Sequence, residues 1–466
     1  MDSIRAIFFA TVFFSISCGS GGKGGDDVFD ADIQEEEIEE IAGDVEIQEF
    51  EAGEVTINEK FRVLYGYRGR LLDNEDEHDL HIMEASEPEK SFNLTKFSLE
   101  NTGYNCNLGC VTDRGLEWIA VAYKETEIQE DFDYKLGRFT TAMTVDIDKI
   151  SGIKAVTDIK FGGGFLYFSK KLPEKCAENP PSYCYDIYRV DLSNLSKMDK
   201  IITFPPIEKA AGSLYKGHFH LSEDGKTVVL LNPTIGSQNI YIWRDGKLAE
   251  LDYICHNLEP GGKCIGTGSQ NTDKDPLAVS PDGNDIVIFL IEDNREFNVR
   301  RYNIKDNWGK YSNLLKVPSD YSKNACYNKK EWQYTYVRGT PIVRGDGRIY
   351  FIGEAKCGNT KTWTNLVSMD ISIIGDGTAI TEEEIVKITD NPKGNTSRNV
   401  EIFNFDFSTE GNYVVFAGTP MFQVDGYIIP DSSQRHFNDR EIWIINRGGG
   451  PMAQLTNSLQ FLVSSP

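Results

Sequence analysis

A short turn followed by an apolar strand recurs along this chain, and it constrains the fold more than any other feature. Its clearest copy runs Ser280, Pro281, Asp282, Gly283, then the almost wholly apolar stretch 285–290, then a further strand at 297–304. Pro281 pre-sets φ, Asp282 favours the turn, and Gly283 takes the positive φ that closes a tight hairpin. A continuous apolar run is what a second strand needs when both of its faces are covered. Weaker copies stand at 218–225 leading into 227–231 and 239–243, at 341–347 leading into 348–352, and at 405–411 leading into 413–416 and 440–446. Two more begin at 111–115 and 160–164. The turn glycines fall at 115, 163, 225, 283, 347 and 411, which is 48 to 64 residues apart. A four-stranded propeller blade needs only roughly 40–45 residues, so the loops between strands are enlarged.

The Ser-Pro-Asp-Gly turn before an apolar strand resembles the repeat of TolB-like, WD40-like propellers. So does the close of the last unit, 441–446 followed by Gln454, Leu455, Thr456 and Asn457. The resemblance implies an all-β chain whose residues 56–466 form a β-propeller of four-stranded antiparallel blades. Six turn glycines mark six units. Strands at 60–67, 78–83 and 92–95 read as the second to fourth strands of another, and 460–466 stands where its first strand belongs. Joining the two chain ends in one blade removes two exposed sheet edges. Seven blades follow, with six and eight left open. The α/β domain that precedes the propeller in TolB itself has no match here, which points away from a role in the Tol envelope system.

The N-terminal residues set the expected compartment. Arg5 precedes an apolar run at 6–14, too short to span a bilayer as a helix but suited to the core of a signal peptide. Ser15, Ile16, Ser17 and Cys18 resemble a bacterial lipobox, in which Cys18 becomes the acylated first residue, although Ser15 replaces the usual Leu. An ordinary cleaved signal peptide is the alternative. Residues 19–55 carry fourteen Asp or Glu against one Lys, a composition that repels itself and suits a flexible tether. The formal net charge of the whole chain is −24, which excludes nucleic acid as a partner because that needs a basic surface. Gly19 lacks the Asp that retains enteric lipoproteins in the inner membrane, so an outer-membrane lipoprotein facing the periplasm or the cell surface is expected.

Cysteine usage points the same way. Apart from Cys18 there are eight: Cys106, Cys110, Cys176, Cys184, Cys255, Cys264, Cys326 and Cys357. An even number in close couples suits disulfides in an oxidising compartment, and no couple has the CxxC spacing of a zinc site. Sequential pairing, 106–110, 176–184, 255–264 and 326–357, is the simplest of many connectivities. By strand assignment all eight fall at the end of the blades opposite the Ser-Pro-Asp-Gly turns.

Catalytic signatures are scarce. The sequence has no G-x-S-x-G, so the α/β-hydrolase domain of related peptidases is not expected, and it has no HExxH, P-loop or EF-hand pattern. His218 and His220 share one face of an inner strand. Such a pair either ligates a metal in a central channel, as in propeller lyases acting on oligogalacturonate, or simply hydrogen-bonds there. The acidic run 73–79 is a solvated loop or a loose calcium site. Trp118, Trp243 and Trp443 lie inside strands and belong to the core. Trp332, Tyr334 and Tyr336 precede a first strand, with Arg338 close behind, and a bridge from Cys326 to Cys357 would staple their loop. The aromatics either form a platform suited to a protein or glycan partner or simply pack the enlarged loop. The expectation is a monomeric, lipid-anchored, non-catalytic binding module without a cofactor. A metal-assisted polysaccharide lyase or hydrolase and a structural envelope scaffold are the alternatives.

Overall fold

The computed structural model describes residues 53–70, 76–93, 110–112, 117–123, 132–139, 145–178, 181–207, 219–233, 238–251, 265–266, 277–291, 297–307, 309–315, 336–357, 361–375, 377–389, 399–421, 423–424, 427–428 and 441–456. Apart from short 3-10 turns, the regular structure of the described residues is all β. The fourth sheet shows the plan. Phe219–Leu221, Thr227–Pro233, Gln238–Arg244 and Lys247–Leu251 pair in chain order as an antiparallel meander. The sixth and seventh sheets, residues 336–387 and 399–454, repeat it. So does the fifth, at 277–315, with the added strand Ile265–Gly266 beside its second strand.

The second and third sheets share one ladder of seven strands. They divide within Val145–Gly162, which pairs with Phe132–Phe139 through residues 145–156 and with Phe165–Glu178 through residues 156–162. The two halves face one another across one apolar cluster. Trp118, Ala120 and Leu136 meet Ile159, Leu166 and Phe168 there. Opening strands of successive sheets lie side by side: Cys110–Thr112, Val145–Gly162, Phe219–Leu221, Leu277–Val279, Tyr336–Val343 and Asn399–Phe407. Sheets that stack face to face while their first strands line up define a β-propeller. The first sheet contains three strands, Arg62–Arg70, Asp76–Glu84 and Glu87–Asn93, close to those expected. Residues 76–79 of the acidic run, however, pair with 67–70 and belong to a strand, not to a loop. Residues 460–466 lie outside the described residues.

The reason the sheets stack is visible in the second strands. Ile286, Val287, Ile288 and Phe289 are all fully buried. Side chains alternate along a strand, so Ile286 and Ile288 pack toward the fourth sheet while Val287 and Phe289 pack toward the sixth. The sixth sheet does the same: Ile349 and Phe351 face the fifth, and Tyr350 and Ile352 face the seventh. Each fully buried side chain of this size contributes about 1.5–3 kcal/mol. Trp118 and Trp443 are buried, and Trp243 is half-buried against the cluster between the third and fourth sheets.

The Ser-Pro-Asp-Gly turn is built as its residues dictate. Gly283 has φ 66° and donates to Ser280 O at 2.8 Å. Ser280 Oγ accepts from Asp285 N at 2.8 Å and donates to Asp282 at 2.7 Å, and Asp282 also accepts from Asn284 N at 3.1 Å. Ser222, Asp224 and Gly225 repeat this arrangement bond for bond. The turns also join neighbours: Gly163 N donates to Glu223 O at 2.9 Å, and Asp224 N to Pro281 O at 3.1 Å. Tyr167 Oη donates to Gly225 O at 2.6 Å, and Arg244 reaches Asp282 O at 3.0 Å.

One segment departs from the meander. After Lys361–Asp370 the chain crosses to the fifth sheet, where Ala379–Ile380 pairs with Gly309–Leu315 in the one parallel pairing among the described strands. Ile371, Ile374 and Ile380 enter the core between the two sheets.

Two predictions follow from the turn geometry. Gly225 and Gly246 both have positive φ, but a Cβ at Gly225 would sit 2.8 Å from Gly162 O, whereas at Gly246 it would meet nothing within 4 Å. Gly246→Ala should therefore cost about 1–2 kcal/mol from backbone strain alone, and Gly225→Ala distinctly more, in denaturant titrations. Equal losses would disprove the close approach between sheets.

The second concerns Asp224 and Asp282. Partial burial works to raise both carboxyls. The serine hydroxyls and backbone N–H groups prevail, and both are held below the ordinary carboxylate value. A depressed folded value gives stability that is present above the unfolded value and lost as pH falls through the folded one. The Asp224→Asn/Asp282→Asn double variant should lose less stability than the parent protein between pH 5 and pH 2 (on the order of the usual carboxyl range). A parent-like acid slope would contradict this.

Candidate functional site

The two ends of the sheets differ in chemistry. At one end lie the tight turns, whose serine, aspartate and backbone groups are engaged with one another and with the neighbouring sheet. Arg447 adds an ion pair to Asp346 at 3.2 Å, and Asp346 also accepts from Tyr350 at 2.7 Å. Burial, and then that bond, push the Tyr350 phenol up to about 12.

The opposite end receives the predicted cysteines that fall within described strands. Cys110 opens Cys110–Thr112 and Cys357 closes Arg348–Cys357, each at the end away from its tight turn. Cys176 lies near the end of Phe165–Glu178, and Cys184 near the start of Pro181–Asp191. Those two strands pair there through Lys175 with Tyr183 and Ala177 with Ser182. Cys184 is buried. Cys18, Cys106, Cys255, Cys264, Cys326, Trp332, Tyr334 and His218 lie outside the described residues.

His220 sits mid-strand opposite Val229 and is half-buried. Its neighbours Phe219 and Leu221 pack into the cluster with the third sheet, so His220 takes the other face. Beside it, Asp158 of the third sheet accepts from Phe219 N at 2.9 Å, while Lys160 lies 3.5 Å from Asp158 and 5.7 Å from the centre of the Phe219 ring. Arg338 pairs with Ile352 immediately before a bulge. Gly339, in that bulge, has φ 72°, and a Cβ there would come within 3.3 Å of Phe403 O. The opening strand of the seventh sheet is irregular at the same level, between Ile402 and Asn404. Two successive inner strands are thus irregular side by side.

Sequence reasoning missed two polar groups inside the blades. Asp186 is buried and accepts from Thr203 at 2.6 Å and from Tyr188 at 3.2 Å, with Lys200 at 2.9 Å. Burial first, and then Asp186, raise the Tyr188 phenol. In the fifth sheet Asn298, Arg300 and Tyr302 form a buried polar row on one strand. Polar residues at every second position were the available signal. Among the described residues no three His, Cys, Asp or Glu side chains come together in a metal-binding group.

No family model matches this chain, and no curated protein matches it. Solved structures with a similar course include an acylaminoacyl peptidase from Pyrococcus horikoshii, with TM-score 0.46 and 14% identity over 87% of this chain and 52% of that one. Prolyl oligopeptidase B from Galerina marginata gives TM-score 0.48 and 9% identity over 85% of this chain and 51% of that one. TolB from Acinetobacter baumannii gives TM-score 0.34 and 12% identity over 84% of this chain and 81% of that one. This chain spans about half the length of the two peptidases.

Proposed function

We propose that this chain is an exported, lipid-anchored β-propeller that binds an envelope protein or glycan through its loop end, without catalysis. The observation that carries the reading is the asymmetry of the two ends. Polar groups of the turn end are engaged in holding the sheets together, whereas Cys110, Cys176, Cys184 and Cys357 all lie toward the opposite end. A bridge between Cys176 and Cys184 is supported by their places on two paired strands. Disulfides constrain long loops most effectively, and a constrained loop presents aromatic anchors at less entropic cost on binding. Trp332, Tyr334 and Arg338 are the proposed contact residues, and the lipid on Cys18 is the proposed attachment. The signal-like apolar run at 6–14, the lipobox-like residues 15–18 and the even number of cysteines beyond Cys18 support an outer-membrane protein facing the periplasm or the cell surface. The acidic charge supports a partner other than nucleic acid.

Crosslinked capture from bacterial envelopes tests the reading. The Cys18→Ser variant should move from the membrane to the soluble fraction. The Trp332→Ala/Tyr334→Ala variant should recover roughly tenfold less partner or more, as loss of two aromatic anchors implies, while Lys226→Ala at the turn end recovers as much as the parent. Undiminished capture by the aromatic variant would refute the binding surface. A stoichiometric metal together with polysaccharide cleavage by the purified protein would replace the binding module with an enzyme.

A further inference from the structure

The turn of the seventh sheet is built differently from its relatives, and the difference lies at the far end of the chain. In the fourth and fifth sheets the turn serine donates to an aspartate two residues on, Ser222 to Asp224 and Ser280 to Asp282. The seventh turn is Ser408, Thr409, Glu410, Gly411, with the longer Glu410 at that position. Ser408 still accepts from the sixth residue of the turn, Tyr413 N, at 3.1 Å. Its hydroxyl, however, donates to Glu59 at 2.8 Å, and Glu59 also accepts from Glu410 N at 2.6 Å. A carboxylate from 349 residues away in sequence takes the place of the local aspartate.

Glu59 arrives on a segment shaped to deliver it. Gly53 N donates to Met452 O at 2.8 Å on the last strand of the seventh sheet. A Cβ on Gly53 would sit 2.6 Å from Pro451 Cβ, so the approach needs glycine. From there the chain alternates: Glu54, Thr56, Asn58, Lys60 and Arg62 are exposed, while the residues between them turn inward. Val55, Ile57, Phe61 and Val63 pack with Met83, Tyr413 and Ile444 in the cluster that joins the first and seventh sheets. Tyr413 Oη donates to Thr56 O and accepts from Asn58 N, both at 2.9 Å, and Phe61 stacks on the Tyr413 ring. Glu59 is the one buried carboxylate in an inward row that is otherwise apolar beyond Gly53, and two donors of the seventh turn meet it.

We infer that residues 53–61 are a clasp: the seventh sheet is complete only when Glu59 is seated, and the first and seventh sheets part as a unit when the clasp is released. A polar group left buried without its partner weakens the surrounding packing locally, and the opening stays confined to the elements the clasp touches.

Hydrogen exchange on the full chain tests this. In Glu59→Ala the amides of 413–416, 442–446 and 82–85 should exchange roughly tenfold faster or more, while those of 286–289 keep parent rates. Adding Glu410→Asp should restore much of the protection at 413–416, because it returns an aspartate to the local position. Tyr413→Phe, which removes only the two bonds to Thr56 and Asn58, should speed the same amides by a smaller factor. That variant carries the test should Glu59→Ala fail to fold. Parent-like exchange in the seventh sheet, equal acceleration in every sheet, or no rescue by Glu410→Asp would overturn the clasp.

Discussion

Everything in this fold depends on second strands that are apolar on both faces. A strand with one apolar face is satisfied by a single layer; one with two must lie between layers. Ile286, Val287, Ile288 and Phe289 therefore oblige the fifth sheet to have a neighbour on each side, and those neighbours carry strands with the same need. The consequence is a stack that no single repeat can terminate alone, the physical basis of repeat architectures. The contact between the first and seventh sheets answers that requirement for two of the outermost faces.

Apolar stacking is non-directional, and the turns supply direction. Each Ser-x-Asp-Gly turn satisfies its own backbone through two short side chains and leaves N–H and C=O groups for the next sheet. Arg244 and Arg301 extend this, reaching Asp282 O and Ile371 O of the following sheets. The turn end is thereby committed to holding register. The proposed contact surface is at the other end, where loops are carried on this scaffold.

Local patterns made much of this legible in the sequence. The turn residues specify their own hydrogen bonds, so Ser280 to Gly283 announced both a hairpin and the strand after it. The strands of the first sheet and the burial of Trp118 and Trp443 were likewise readable from periodicity. What could not be read depends on partners distant in sequence. Nothing near Glu59 marks it as part of a turn at Ser408, 349 residues away. The crossing at 371–385 has no period of its own, because its isoleucines answer to a neighbouring sheet. Inner strands that bend at Gly339 and Ile402 show no signal, since a bulge needs only one extra residue. The candidate contact residues rest on the sequence argument, with Trp332 and Tyr334 outside the described residues.

A double-mutant cycle across one sheet interface tests the stacking most directly. Phe289 and Phe351 belong to different sheets, and their ring centroids lie 4.7 Å apart. Ile288, adjacent in sequence, packs toward the fourth sheet instead. Replacing Phe289 and Phe351 by Leu, singly and together, should reveal a coupling of about 0.5–1.5 kcal/mol. The same cycle with Ile288→Val and Phe351→Leu should be additive within about 0.5 kcal/mol. If Ile288 couples to Phe351 as strongly as Phe289 does, the second strand does not divide its faces between two neighbours, and the account of the fold fails.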